Sequence, residues 1–281
     1  MDGQDGDGQD GDGQDGDGHP ALTTEEIREL ARVFPPGPSA VALLRRAGLT
    51  VGHIPTAAGT TAGEFWSAVA RAVAANRIVD GRLRVLAAAC VAYPHNAVFR
   101  AALRKPGGGG LRRVLVTGAA PGSQELAAVQ RAARGVLTVD RCPAAAATDL
   151  RRILTIRPDV LHLVCRREGH TLVFEDGDGQ AHRTPAARLA ELLAAYRRLT
   201  GAPLPGVVLG CPDGAPLAAL FARAADVLVA HRGPLDAAAA FAGGLYGLLG
   251  EVPTLAQAAR RAAERIGRDG GGVVVLRGRP W

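Results

Sequence analysis

Three short apolar runs constrain the second half of this chain more than any other feature. They read Val160-Leu161-His162-Leu163-Val164, Val207-Val208-Leu209 and Ala224-Ala225-Asp226-Val227-Leu228-Val229-Ala230. Each is bounded by Pro, Gly or charge, and none alternates strictly between apolar and polar. That pattern belongs to strands covered on both faces, as in a parallel sheet, rather than to half-exposed ones. In open sheets of this kind, chemistry gathers just past the carboxyl ends of the strands. Cys165-Arg166-Arg167 and Gly210-Cys211-Pro212 occupy two such ends. A further strand at Val114-Leu115-Val116 leads into Thr117-Gly118 and a turn ending at Ser123, then into a helix from Gln124 to Ala133. A phosphate or other small anion fits the amino end of such a helix. The turn nevertheless lacks both the Gly-Lys-Ser/Thr ending of a P-loop and the three-glycine dinucleotide fingerprint.

The first half reads differently. Residues 2–18 repeat Asp-Gly-Gln-Asp-Gly almost perfectly. High backbone entropy, mutual repulsion and the lack of apolar surface make this stretch an expected disordered tail over residues 1–20. Its register fails as a calcium loop, because Gln interrupts the acidic positions and no closing Glu follows. Ordered structure is expected to begin where Thr23 and Glu26 form a capping box ahead of Ile27, Leu30, Ala31 and Phe34. Pro35-Pro36-Gly37-Pro38 ends that helix, and Ser39 is the expected cap of a second one stopping at Gly48. Thr61, Phe65, Trp66, Val69 and Val73 mark a third helix, and Leu83, Leu86, Ala87 and Cys90 a fourth. Tyr93-Pro94-His95-Asn96 closes a small bundle over residues 21–104.

At 281 residues, two domains are the natural count, joined by Lys105-Pro106 and the glycines that follow, a linker over residues 105–111. Net charge is +6, but the tail alone holds seven Asp, so the remainder stands at +13. Lys105 is the only lysine, and no basic cluster is interleaved with exposed aromatics. The excess therefore reads as an arginine coding bias, and no nucleic-acid partner is expected. Cys90, Cys142, Cys165 and Cys211 are widely spaced, which argues against a zinc site and against a disulfide framework. No stretch is long and apolar enough for a bilayer, and the acidic start is no signal peptide, so a cytoplasmic location without membrane contact is expected.

Two family resemblances organise these features. Residues 112–266 are similar, loosely but in order, to CHAT-type caspase-like peptidases. Leu161-His162 opens the family's Leu-His-x-x-x-His-Gly pattern, and Leu172-Val173-Phe174-Glu175-Asp176 matches its short following strand. Val207-Val208-Leu209-Gly210-Cys211 matches the strand that ends in Val-Val-Leu-Asn-Ala-Cys, and Ala240-Phe241 to Tyr246 its later helix. The bundle resembles an effector-associated domain, a death-fold-like adaptor of bacterial conflict systems. The residues that carry this likeness are Ala42-Leu43-Leu44-Arg45-Arg46-Ala47-Gly48-Leu49, Ile54-Pro55, Glu64-Phe65-Trp66 and Tyr93-Pro94-His95-Asn96. The implied fold is a caspase-like α/β domain over residues 112–281, with a mainly parallel sheet, preceded by a small all-α bundle.

The departures from the peptidase pattern set the functional expectation. Without gaps, Arg166 falls at the family's catalytic His, Arg167 at the following Gly and Pro212 at the catalytic Cys, with Cys211 one residue early. Arginine stays protonated and has no acceptor atom, so it cannot serve as a general base. A one-residue slip on a strand turns a side chain to the other face. Cys165, Arg166, Arg167 and Pro212 thus read as a vestigial site, and the domain as a pseudo-enzyme with no metal and no cofactor. The fallback is a cysteine endopeptidase using Cys211 with a displaced His170, whose loop bends back toward the thiol. Nucleotide or small-anion sensing at Gly118 stands third, and Arg166 and Arg167 with Arg151, Arg152 and Arg157 form a possible anion-binding edge. The adaptor resemblance implies a protein partner with a related effector-associated domain. Docking falls to Arg45, Arg46 and Glu64, because Phe65 and Trp66 read as core aromatics.

Overall fold

The computed structural model describes residues 21–75, 80–103, 111–118, 123–142, 149–175, 180–231, 238–249, 251–252, 254–266 and 272–277. The acidic repeat, and all of the expected linker except Leu111, lie outside them.

Helix α1 (Thr24–Val33) opens on the expected capping box. Thr23 Oγ1 accepts from the Glu26 backbone N–H at 3.3 Å, and Glu26 Oε2 accepts from the Thr23 N–H at 2.9 Å. The same carboxyl group takes two bonds from the Arg82 guanidinium, at 3.0 and 2.6 Å, which ties α1 to α4 (Gly81–Ala92). Helix α2 (Pro38–Ala47) departs from the expected start. Gly37 is its cap residue and Ser39 lies inside the helix, because Pro38 at the first position has a suitable fixed φ and no N–H left to satisfy. It ends at Gly48 with φ 98°. Helix α3 (Ala62–Ala74) carries a second capping box, Thr61 with Glu64.

Tyr93 to Asn96 does not close the bundle. Asn96 accepts from the Val98 and Phe99 N–H groups and starts a fifth helix, α5 (Ala97–Ala102). Pro94 reads as a terminator, but it ends only α4, and the asparagine after it is a strong N-cap. The bundle core holds Leu30, Leu44, Phe65, Trp66, Leu86 and Phe99, all fully buried. Trp66 Nε1 donates to the Phe34 carbonyl at 2.8 Å, which satisfies the one polar atom of that ring.

The second half is an α/β domain. In chain order it contains β1 (Arg113–Thr117), α6 (Gln124–Ala132), β2 (Thr138–Cys142), α7 (Leu150–Ile156) and β3 (Val160–Val164). A small excursion follows, β4 (Arg166–Glu168), β5 (Thr171–Glu175) and β6 (Ala181–Pro185), pairing antiparallel as a separate three-stranded sheet. The chain then continues through α8 (Ala186–Thr200), β7 (Leu204–Gly210), α9 (Ala218–Phe221), β8 (Ala225–His231), α10 (Ala238–Leu248), α11 (Leu255–Ile266) and β9 (Val273–Arg277). The main sheet runs β2-β1-β3-β7-β8-β9. Its first five strands are parallel, and β9 joins antiparallel to β8. The three apolar runs are therefore three adjacent central strands, as their two-sided hydrophobicity predicts.

Alternation along each strand splits the sheet into two cores. Leu115, Leu161, Leu163, Val207, Leu209 and Leu228 face α7, α8 and α9, in a cluster continuous with the helical bundle. Val114, Val116, Val160, Val208 and Val229 face α6, α10 and α11. On the first side α4 lies on α7 and α5 on α8, and Arg100 Nε donates to the Leu199 carbonyl at 3.4 Å.

Candidate functional site

The carboxyl edge of β3, β7 and β8 carries a buried polar cluster on the face covered by α6 and α10. His162, in the middle of β3, is fully buried and uses both ring nitrogens. Nε2 lies 2.7 Å from Glu125 Oε1, in the first turn of α6, and Nδ1 lies 2.9 Å from the Tyr246 hydroxyl on α10. Burial, with Glu125 nearby, pushes the Tyr246 phenol well above its usual range, so the hydroxyl keeps its proton. One tautomer then satisfies both contacts: Tyr246 O–H donates to Nδ1, and Nε2–H donates to Glu125. The glycine in β7 makes this possible. A Cβ on Gly210 would stand 2.5 Å from Glu125 Oε1 and 2.8 Å from His162 Nε2. The carboxyl group occupies the space that a side chain on β7 would fill.

His231 ends β8 on the same face, edge-on to Phe241 with ring centroids 4.4 Å apart. Register places Leu209 beside Ala230, so His231 follows beside Gly210 and the Glu125 carboxyl group. Burial depresses its pKa to about 4, and the Glu125 charge only partly opposes that. Among the described residues, Glu125 Oε2 and His231 Nε2 are both buried without a hydrogen-bond partner. This cluster is a satisfied histidine bracketed by acid and phenol, with one open acceptor on the acid. It holds α6 and α10 onto the strand ends.

The cysteines lie on the opposite face. Cys165 follows β3 and Cys211 follows β7, and each continues the odd-numbered rows that face α7 and α8. Both are free thiols, nearly buried at 6% and 2% exposed. They lie close enough to perturb each other's titration. The neighbouring Cys211 thiol, with burial, raises the Cys165 pKa well above the usual thiol value. Cys211 is lowered, chiefly by its Cys165 neighbour, against the cost of burial and with help from the Arg167 charge.

Among the sequence-predicted site residues, the structure brings Cys165, Cys211 and Arg167 together. With Gly169, His170 forms the exposed tip of the β4–β5 hairpin, so the stretch expected as a loop after Cys165 is a strand and a tight turn. Arg166, exposed, pairs with Glu175 at 3.0 Å, and Arg151 with Asp149 at 3.0 Å, so two members of the supposed anion-binding edge already face carboxylates. Pro212 sits half-buried in the turn from Cys211 to Asp213, past the end of β7.

Gly118, with φ 84°, is packed so that a Cβ would strike the Val164 carbonyl and the Phe174 ring. Residues 119–122 of the turn lie outside the described ones. In the bundle, Arg45 and Arg46 are exposed in the last turn of α2. Glu64 is exposed too, but its Oε2 accepts from Thr61 N at 2.8 Å and from Thr61 Oγ1 at 2.7 Å, which lowers its pKa. A groove of about 330 Å³ between residues 52–55 and α3 is lined by none of these three.

Sequence reasoning missed Glu125 and Tyr246 as partners of His162, and His231 beside them. Glu125 carried one usable signal, an acid two places after the Ser123 cap of a helix leaving β1. Among the described residues no group of His, Cys, Asp and Glu is arranged to hold a metal ion, and no helix is long and apolar enough to cross a membrane. No curated protein matches this chain. Residues 20–107 match the family described as Effector-associated domain 1, which identifies the helical bundle as an effector-associated domain, an adaptor-type module of signalling systems.

Proposed function

We propose that this protein is a cytoplasmic adaptor in a bacterial conflict or stress-signalling system. The helical domain, residues 21–104, recruits a protein that bears a related effector-associated domain. Residues 112–281 form a CHAT-like, caspase-like platform whose peptidase site is vestigial. The observation that carries the reading is the match of residues 20–107 to Effector-associated domain 1. Two features support the details. Arg45 and Arg46 stand exposed side by side at the carboxyl end of α2, where a complementary acidic face can engage them. Cys211 is nearly buried and faces a second thiol, while Arg166 occupies the position of the base. Glu64 contributes less to docking, because its carboxyl group already serves Thr61.

The test is titration of the full chain against purified effector-associated domains from the same cell. Saturable binding that survives Cys211→Ala and is lost with Arg45→Glu and Arg46→Glu together supports the reading. No binding to any such domain, or binding indifferent to both charge reversals, sinks it.

The endopeptidase reading keeps one supporting observation, the lowered pKa of the Cys211 thiol. It is separated by labelling with a thiol-reactive peptidyl probe. Rapid labelling lost in both Cys211→Ala and His170→Ala means an activated thiolate and a live peptidase. Slow labelling unchanged by His170→Ala means a platform.

A further inference from the structure

The register of β3 and β7 sets two cysteines opposite each other at the carboxyl edge. Register pairs Val164 with Gly210 in parallel strands, and the ladder continues one step beyond, where the Cys165 N–H donates to the Gly210 carbonyl at 3.2 Å. Cys165 and Cys211 therefore stand beside each other at the ends of neighbouring strands, with both Cβ atoms on the α7/α8 face. Adjacent strands run about 4.8 Å apart, inside the range of about 4.4–6.8 Å between the Cα atoms of bridged cysteines. Each thiol is the leading electrostatic influence on the other. Gly214 closes over the pair. A Cβ there would stand 2.9 Å from Cys211 Sγ, so glycine leaves the sulfur its room.

We propose that Cys165 and Cys211 form a modification site, converting to a reversible intramolecular disulfide when the protein meets hydrogen peroxide. Cys211 is the attacking sulfur, since the Arg167 charge favours its anion. The thiolate attacks one peroxide oxygen, the O–O bond breaks, and hydroxide leaves with a proton as water, giving a sulfenic acid at Cys211. Cys165 then attacks that sulfur, its thiol proton goes to the departing hydroxide, and the S–S bond forms. Two thiols lose two electrons and two protons, and one peroxide becomes two waters. The linkage staples the end of β3, where the β4–β5 hairpin begins, to the turn after β7. It also consumes Cys211, the only nucleophile of the fallback peptidase reading. The inference is independent of the adaptor reading and survives that reading's failure.

The experiment treats the folded full chain with hydrogen peroxide, blocks remaining thiols under denaturing conditions, and maps peptides without reduction. The expected result is a linked Cys165–Cys211 peptide, loss of two of the four free thiols, and recovery of both with dithiothreitol. Cys165→Ser and Cys211→Ser each abolish the linkage, and Cys142→Ser retains it. The wild-type map decides the question even where a serine variant fails to fold. The inference is overturned if Cys211 proceeds to sulfinic acid unlinked, if other cysteines pair, or if the link forms between chains. It is equally overturned if all four thiols survive a peroxide dose that oxidises a small free thiol completely.

Discussion

Gly210→Ala tests the buried cluster at its tightest point. The new methyl group would stand 2.5 Å from Glu125 Oε1, 2.8 Å from His162 Nε2 and 2.9 Å from the Leu163 carbonyl. Backbone on one side and two mutually bonded side chains on the other leave nothing that yields cheaply. Two costs add. Forcing a methyl group into a filled core costs about 1–3 kcal/mol. Displacing Glu125 breaks its bond to His162 and leaves buried polar groups unpaired, for about another 1–3 kcal/mol. The expected destabilisation is therefore about 2–6 kcal/mol, read from urea unfolding followed by circular dichroism. Gly243→Ala is the matched control. It lies within α10, where its Cβ meets only Ala128 at an ordinary 3.7 Å, so it should be neutral or stabilise by about 0.5–1 kcal/mol. Glu125→Ala makes room for the methyl group, so the double variant should lose less than the sum of the two singles by at least about 1 kcal/mol. A Gly210→Ala protein within about 1 kcal/mol of the parent, or strict additivity with Glu125→Ala, would refute the packing argument.

His231 gives a pH signature. Its folded pKa of about 4 lies below its ordinary 6.5, so between those values the unfolded chain takes up a proton that the folded chain refuses. Its contribution to stability is complete above about pH 6.5 and lost as pH falls toward 4, by about 3 kcal/mol in all. Unfolding across that window should show His231→Leu flatter than the parent, and parallel curves would disprove it. Trp66→Phe should cost about 2–4 kcal/mol, since it opens a cavity and leaves the Phe34 carbonyl without its donor; a shift in thermal midpoint reads this directly. Glu26→Ala should cost more than the roughly 1 kcal/mol of a lost capping box, because Arg82 also loses its partner. In Arg82→Ala that excess should vanish, and a double-mutant cycle checks it. Burial pushes Cys90 up to about 11, so its thiol should resist iodoacetamide in the native protein near neutral pH and react promptly in urea.

Much of the fold was legible because local chemistry and periodicity agreed. The central strands announced themselves by two-sided apolarity, and the Thr23/Glu26 capping box marked where α1 begins. The failures were also local. Pro38 displaced Ser39 as the start of α2, and Asn96 began a helix where the adjacent proline suggested an end. The stretch after Cys165 has no apolar run, so nothing in it distinguishes a loop from the β4 strand that leads to His170 at the hairpin tip.

The sequence alone determined the fold class, because burial on both faces writes a continuous apolar pattern that no half-exposed strand carries. It also determined that position 166 offers no general base, since the chemistry of arginine does not depend on its surroundings. What it could not determine was which polar residues meet. Glu125 and His162 are 37 residues apart and His162 and Tyr246 are 84 apart. Their contact depends on parallel register, on helices crossing over the strand ends and on a glycine whose missing side chain leaves room for a carboxyl group. The pairing of Cys165 with Cys211 arises in the same way. Two strands distant in sequence become neighbours only when the sheet closes, and their shared alternation then turns both thiols to one face.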